Sequence, residues 1–149
     1  MTVATDTLRM LVCPACGAVN RAPPGKGLTT GTCGKCKAGL ATPAPVDIDI
    51  ATLERLRARD TGAFVIDVWA PWCGPCRAMA PAYEATALRY RDQVRFFKLN
   101  SDQNQSAAAS LDIRGIPTLI AYRGGRQVAH QSGAQSNAAL SRWIEENLI

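Results

Sequence analysis

The sequence predicts an α/β fold, a central mixed sheet flanked by helices, preceded by a small unit organised around four cysteines. Three observations carry this. An almost continuous apolar run, Phe64-Val65-Ile66-Asp67-Val68-Trp69, leads directly into Trp72-Cys73-Gly74-Pro75-Cys76-Arg77. This is the pattern of a strand covered on both faces that feeds a helix. Strand-like and helix-like segments alternate through the last two thirds of the chain, which requires helices on both sides of one sheet. All six cysteines fall in Cys-x-x-Cys pairs: Cys13/Cys16, Cys33/Cys36 and Cys73/Cys76.

The first unit, residues 1–37, has few large apolar residues beyond Leu8, Met10, Leu11, Val12 and Leu28. A chain below roughly 40 residues rarely buries enough surface to fold unaided. Its four cysteines are the candidates to hold it. Cys13-Pro14-Ala15-Cys16 and Cys33-Gly34-Lys35-Cys36 are separated by sixteen residues, inside the zinc-ribbon spacing window. Each pair closes a tight turn, with Gly17 and Gly34 where such a turn needs unusual backbone angles. Four thiolates fill a tetrahedral shell, so a Zn²⁺ held by Cys13, Cys16, Cys33 and Cys36 is structural and has no open position for water. Metal binding contributes about 10–16 kcal/mol in small finger peptides, ample to fold such a segment. Two disulfides, formed under oxidation, are the alternative. Residues 38–45, Ala-Gly-Leu-Ala-Thr-Pro-Ala-Pro, read as a short, stiff linker.

The second unit spans 46–149. A short strand at 46–48 leads to Asp49, a helix N-cap, and Leu53 and Leu56 give that helix its apolar face. The strand at 63–69 follows. Residues 74–90 form a helix in which Pro81 cannot donate to the carbonyl of Arg77, so a kink is expected. A strand at 95–99 and a helix at 105–111 come next. Thr118–Tyr122, the Gly124-Gly125 turn and Arg126–Gln131 form an antiparallel hairpin. Ser136 caps a last helix with Leu140, Trp143, Ile144 and Leu148 at helical spacing. The order is βαβαβαββα.

The net charge of +5 is unevenly placed, +4 in residues 1–45 and +1 in the rest. A basic first unit is a reason to consider nucleic acid. Four thiolates with one Zn²⁺ contribute −2, however, which leaves too little charge for a phosphate footprint. No basic n-region and apolar h-region mark a signal peptide in Met1–Thr7 and beyond. No stretch reaches the roughly 18 apolar residues of a membrane span. A cytoplasmic protein is expected, where paired cysteines bind metal or do catalysis.

The chemistry concentrates at the strand-to-helix junction. A thiolate, not a thiol, attacks a disulfide, and Cys73 sits where free helical N–H groups favour an anion. It is the expected nucleophile. Cys76 lies one turn later on the same face and is the expected resolving thiol. Gly74 allows a substrate chain to approach, and Pro75 lacks an N–H that the first turn does not need. Asp67 is a carboxylate in an apolar strand. Burial raises its pKa, which suits proton transfer to and from Cys76, although a buried Asp satisfied by backbone N–H groups reads equally well. Lys98 by itself reads as a surface lysine. Trp72 is a candidate surface for docking polypeptides, Trp69 a packed ring. Pro117 opens a strand and, on base rates alone, follows a trans bond. His130 receives no role.

These residues closely resemble the thioredoxin family over nearly all of 46–149. The match rests on Asp67-Val68-Trp69-Ala70-Pro71-Trp72-Cys73-Gly74-Pro75-Cys76, Lys98-Leu99-Asn100, Arg114-Gly115-Ile116-Pro117-Thr118 and Gly133-Ala134. The resemblance implies a thioredoxin fold and reduction of disulfides in other proteins. It implies that Asp67 assists Cys76, with Lys98 as charge partner of Asp67. It also implies a cis Ile116–Pro117 bond facing the dithiol, where Ile116 pairs with an extended substrate and Gly133 leaves room for it. Gly-Pro between the cysteines resembles the reducing members. Polar Gln127 and Ser132 depart from the common pattern and are expected to loosen the last strand. Together the two units resemble the thioredoxin 2 type of bacterial thioredoxin, with a zinc domain ahead of the fold. The implied partners are disulfide-containing proteins and a thioredoxin reductase that draws electrons from NADPH, with no organic cofactor bound by this chain, no membrane and no nucleic acid. Two rival readings stand beside it: a zinc-ribbon binding module, and a redox switch that releases zinc on oxidation.

Overall fold

The computed structural model describes residues 8–23 and 27–149. The expectations for Met1–Thr7, and the charges of Asp6 and Lys26, lie outside the described residues. Strand β1 (Arg9–Val12) and β2 (Val19–Ala22) pair as an antiparallel hairpin. A single 3-10 turn, Leu28–Thr30, follows. The second unit contains β3 (Val46–Asp47), α1 (Ile50–Arg59), β4 (Ala63–Trp69), α2 (Gly74–Arg89), β5 (Arg95–Asn100), α3 (Ala107–Ser110), β6 (Thr118–Arg123), β7 (Arg126–Ser132) and α4 (Asn137–Leu148). This is the expected βαβαβαββα order.

The sheet order is β3-β5-β4-β6-β7. β3 and β4 run parallel to β5, while β6 is antiparallel to both β4 and β7. β4 occupies the centre, and residues 64–68 are all buried. Alternation divides it between two cores. Phe64, Ile66 and Val68 face α1 residues Leu53 and Leu56. Val65 faces Met79 and Tyr83 of α2 and Leu140 and Ile144 of α4. Phe64 also stacks on Tyr122, with centroids 4.8 Å apart. The Tyr83 hydroxyl donates to the Phe97 carbonyl at 2.8 Å, so this buried phenol is satisfied.

Local chemistry sets the helix ends. Asp49 accepts from Thr52 N, and Ser136 accepts from Ala139 N, so both expected N-caps form. α2 continues through Pro81. α3 is one turn, shorter than the expected 105–111. Ser106 makes no side-chain cap there, and Asp112 beyond it adopts a left-handed φ of 54°. Gln127 and Ser132 are exposed on β7, an edge strand where polar side chains meet solvent.

The four-cysteine unit packs on the second unit. Leu11, Cys13, Leu28 and Cys33 form a small core that Leu40 of the following segment completes. Val12, one residue on, joins the core of Leu53, Leu56 and Phe64. Met10 and Thr61 exchange bonds: Met10 N donates to Thr61 Oγ1, and Thr61 N donates to the Met10 carbonyl, both at 2.9 Å.

The hairpin turn depends on Gly125. Its φ is +78°, and a Cβ there would lie 2.1 Å from the Arg57 carbonyl oxygen. Backbone cannot yield as a flexible side chain does. Gly125→Ala is therefore expected to destabilise the fold by about 2 kcal/mol or more, measured by denaturant unfolding, whereas Gly74→Ala, where a Cβ meets nothing within 4 Å, leaves stability within about 1 kcal/mol.

Candidate active site and four-cysteine centre

The dithiol forms where β4 stops. Ala70-Pro71-Trp72 turn the chain, and Cys73 becomes the N-cap of α2 with its sulfur accepting from Cys76 N at 3.2 Å. Pro75 falls in the first turn, where its missing N–H leaves no helical bond unmade. Cys73 and Cys76 are joined as a disulfide, with Cα atoms 5.2 Å apart. Both are buried, Cys73 at 4% and Cys76 at 2% exposure. The chain on either side of Cys73 is open: Trp72 is 68% exposed, and Gly74 faces empty space.

The site gathers segments distant in sequence. The Ile116–Pro117 bond is cis, and the Ile116 carbonyl oxygen lies 3.8 Å from Cys73 Sγ. Gly133 has a φ of +91° and donates from its N–H to the Pro117 carbonyl at 2.8 Å, with open space beyond its Cα. Asp67 is 1% exposed, and its Oδ1 has no hydrogen-bond partner. The alternative reading, a carboxylate satisfied by backbone N–H groups, therefore fails at that oxygen. Burial pushes its pKa up to about 7, while Lys98 opposes the shift. Asp67 pairs in register with Lys98 across β4 and β5. The Lys98 ammonium stands 4.1 Å from the Trp69 ring centroid, so it is shared between a π face and the carboxylate's field.

Sequence reasoning did not single out Asp102. The Trp72 indole N–H donates to its carboxylate at 3.0 Å, which holds an otherwise exposed ring in one orientation. Asp102 lies two residues past β5, and only the register of β5 beside β4 brings it to the sheet end that carries the dithiol. Cys13, Cys16, Cys33 and Cys36 converge at a second centre, with all four sulfurs within 4.8 Å of one another. Cys13 Sγ lies 3.6 Å from Cys36 Sγ, and Cys16 Sγ lies 3.6 Å from Cys33 Sγ. A tetrahedral Zn–S shell with bonds of about 2.3 Å has edges of about 3.8 Å, so the donor set fits such an ion. Asn20 and the Lys35 amide donate to Cys33 Sγ at 3.5 and 3.4 Å. Backbone N–H donation, chiefly from Cys36, draws the Cys33 thiol down to about 6, while, against backbone donation from Ala38, burial and the neighbouring thiols push the Cys36 thiol up to about 11.

A disulfide-forming pair at a helix start, with a buried carboxylate behind it and a cis proline across from it, defines a thiol–disulfide oxidoreductase. The thioredoxin family profile matches residues 50–146. The chain is 32% identical to thioredoxin C-3 of Corynebacterium nephridii over 139 residues, 93% of this chain and 95% of that one. That span exceeds residues 46–149, so the similarity reaches into the four-cysteine unit. It is 42% identical to thioredoxin 1 of Synechococcus elongatus over 84 residues, 56% of this chain and 78% of that protein. The solved structure of a mutant thioredoxin from Halobacterium salinarum superposes with a TM-score of 0.65 at 29% identity, covering 73% of this chain and 95% of that one. The chain belongs to the thioredoxin family, and its four-cysteine unit is zinc-ribbon-like, as in the thioredoxin 2 type.

Asp67 makes stability depend on pH. Its carboxyl ionises near 3.8 when unfolded and near 7 when folded. Between those values the folded state binds more protons, so stability falls as pH rises and the full penalty is present above 7. Asp67→Asn removes this penalty. It is expected to stabilise the protein by on the order of 4 kcal/mol at pH 8 and by little at pH 4, read from guanidinium unfolding at both values.

Proposed function

We propose that this chain is a protein-disulfide reductase that works through the Cys73/Cys76 dithiol. The observation that carries the reading is the position of Cys73: its sulfur accepts an N–H at the first turn of α2, beside the exposed Trp72. That environment stabilises a thiolate. The Cys73 thiolate attacks one sulfur of a substrate disulfide, whose S–S bond breaks and releases one substrate thiolate. Cys76, deprotonated by Asp67, attacks the Cys73 sulfur of the mixed disulfide. The second substrate thiolate leaves, Cys73–Cys76 becomes a disulfide, and two electrons have passed to the substrate. The proton taken up by Asp67 is returned when the dithiol is restored. A pKa near 7 suits both transfers.

Trp72, held by Asp102, and the backbone of Ile116 beside the cis Pro117 would dock an extended substrate segment, with Gly133 leaving space at the rim. Lys98 would tune Asp67. A thioredoxin reductase using NADPH would restore the dithiol, in the cytoplasm. Cys13, Cys16, Cys33 and Cys36 would hold a structural Zn²⁺, which supplies cross-linking of the first unit and no open coordination position. The division into a zinc domain at 1–37, a connecting segment at 38–45 and a catalytic domain at 46–149 belongs to this reading. No helix among the described residues is long and apolar enough to cross a membrane.

The test is reduction of insulin disulfides with dithiothreitol as electron source. Cys73→Ser is expected to lower the rate to the uncatalysed level. Cys76→Ser should instead accumulate a mixed disulfide with substrate, seen as a mass adduct on Cys73. Full turnover by Cys73→Ser would overturn the mechanism.

A further inference from the structure

The first cysteine of the metal centre is tethered to the redox domain by two charges that neither centre contains. Asp60, at the end of α1, and Arg95, at the start of β5, form an ion pair whose side chains are 1% and 2% exposed. Between them they hold both backbone groups of Val12, the residue directly before Cys13. The Val12 N–H donates to Asp60 Oδ2 at 2.9 Å, and Arg95 Nη1 donates to the Val12 carbonyl at 2.8 Å. The same nitrogen reaches the Leu40 carbonyl at 3.1 Å, four residues after Cys36. Asp60 Oδ1 accepts from Gly62 N at 2.8 Å, which anchors the carboxylate to its own domain.

Taking two opposite charges out of water is costly, and their attraction offsets this only when further hydrogen bonds complete both shells. Here those further bonds come largely from the four-cysteine unit. The pair is therefore fully satisfied only while Val12 and Leu40 are in place, and these flank the first and last cysteine of the centre. A second cation from the redox domain, Arg55, lies against the same turn. A Cβ built on Gly17 would lie 3.2 Å from its Cδ and 3.3 Å from its Nη1. A four-thiolate zinc centre carries a net charge of −2, so Arg55 at this border favours the loaded state, while the Asp60–Arg95 pair is neutral as a whole.

We infer that Asp60 and Arg95 are positioning residues for the four-cysteine centre, and that through them metal occupancy and the folding of the redox domain form one linked equilibrium. This rests on the reading of the four cysteines as a metal site. A metal that binds only the ordered centre stabilises whatever must be ordered with it. Loss of the metal frees Val12 and Leu40, and leaves a buried ion pair at the edge of the redox domain without its carbonyl and amide partners.

The experiment uses the full chain. Metal content is measured first: protein purified under reduction that binds no zinc when titrated with it overturns the metal reading itself. If zinc binds, its release to a chromophoric chelator is compared between wild type, Arg95→Met and Arg95→Lys. The proposal expects release at least tenfold faster in Arg95→Met, with Arg95→Lys intermediate because it keeps charge but loses the fork. In parallel, hydrogen exchange of the wild type is followed with and without chelator. The Gly62 amide, which bonds to Asp60 within the redox domain, is expected to lose protection at least tenfold when zinc is removed. Equal zinc release in a folded Arg95→Met protein would overturn the proposal. So would unchanged Gly62 protection in the zinc-free wild type, a measurement that needs no variant to fold.

Discussion

The burial of β4 on both faces is the constraint on which both cysteine systems depend. A central strand with no solvent face must be covered by helices above and below, so α1 lies on one side and α2 and α4 on the other. That places the start of α2 at the C-terminal end of β4, and it aims Asp67 into the layer beneath α2, where Val65, Met79 and Tyr83 pack. The same burial gives the carboxyl its raised pKa. One packing requirement thus delivers Cys73, the Cys76 N–H that its sulfur accepts from, and the buried Asp67 carboxyl to one place.

The two cysteine centres occupy opposite ends of the same parallel pair of strands. The dithiol follows the C-terminal end of β4, whereas Arg95 at the N-terminal end of β5 grips the backbone before Cys13. Six residues of strand separate these ends by roughly 20 Å. The parallel sheet keeps the four clustered thiols apart from the redox pair, although all three pairs share the Cys-x-x-Cys spacing.

Much of the site was legible because its signals are local. Cys73 and Cys76 one turn apart, Pro75 in the first turn, and Asp49 and Ser136 ahead of apolar helices all encode structure within a few residues. The metal spacing of the other four cysteines is local in the same sense. Other features were not readable from residue patterns. The cis bond at Pro117 contradicts the base rate for any X–Pro, and only the family resemblance pointed to it. Lys98 alone reads as a solvated lysine, and its place above Trp69 comes from the register of β5 on β4. Asp102 and the Asp60–Arg95 pair went unnoticed because their partners lie 30 and 35 residues away in the chain.

Local pattern along the chain sets the alternation of elements, the helix caps, the one-turn spacing of Cys73 and Cys76 and the paired spacing of the other four cysteines. Each of these follows from short-range sterics, hydrogen bonding and hydrophobic period. The packing of the four-cysteine unit against the redox domain is visible only in the folded chain. The apolar content of that unit suggested a piece held by metal alone. What docks it are Val12 in a distant core, a two-residue exchange between Met10 and Thr61, and a buried ion pair closed by Val12 and Leu40. Such contacts depend on long-range register and on which charges burial leaves facing each other, and no local pattern in the chain encodes either.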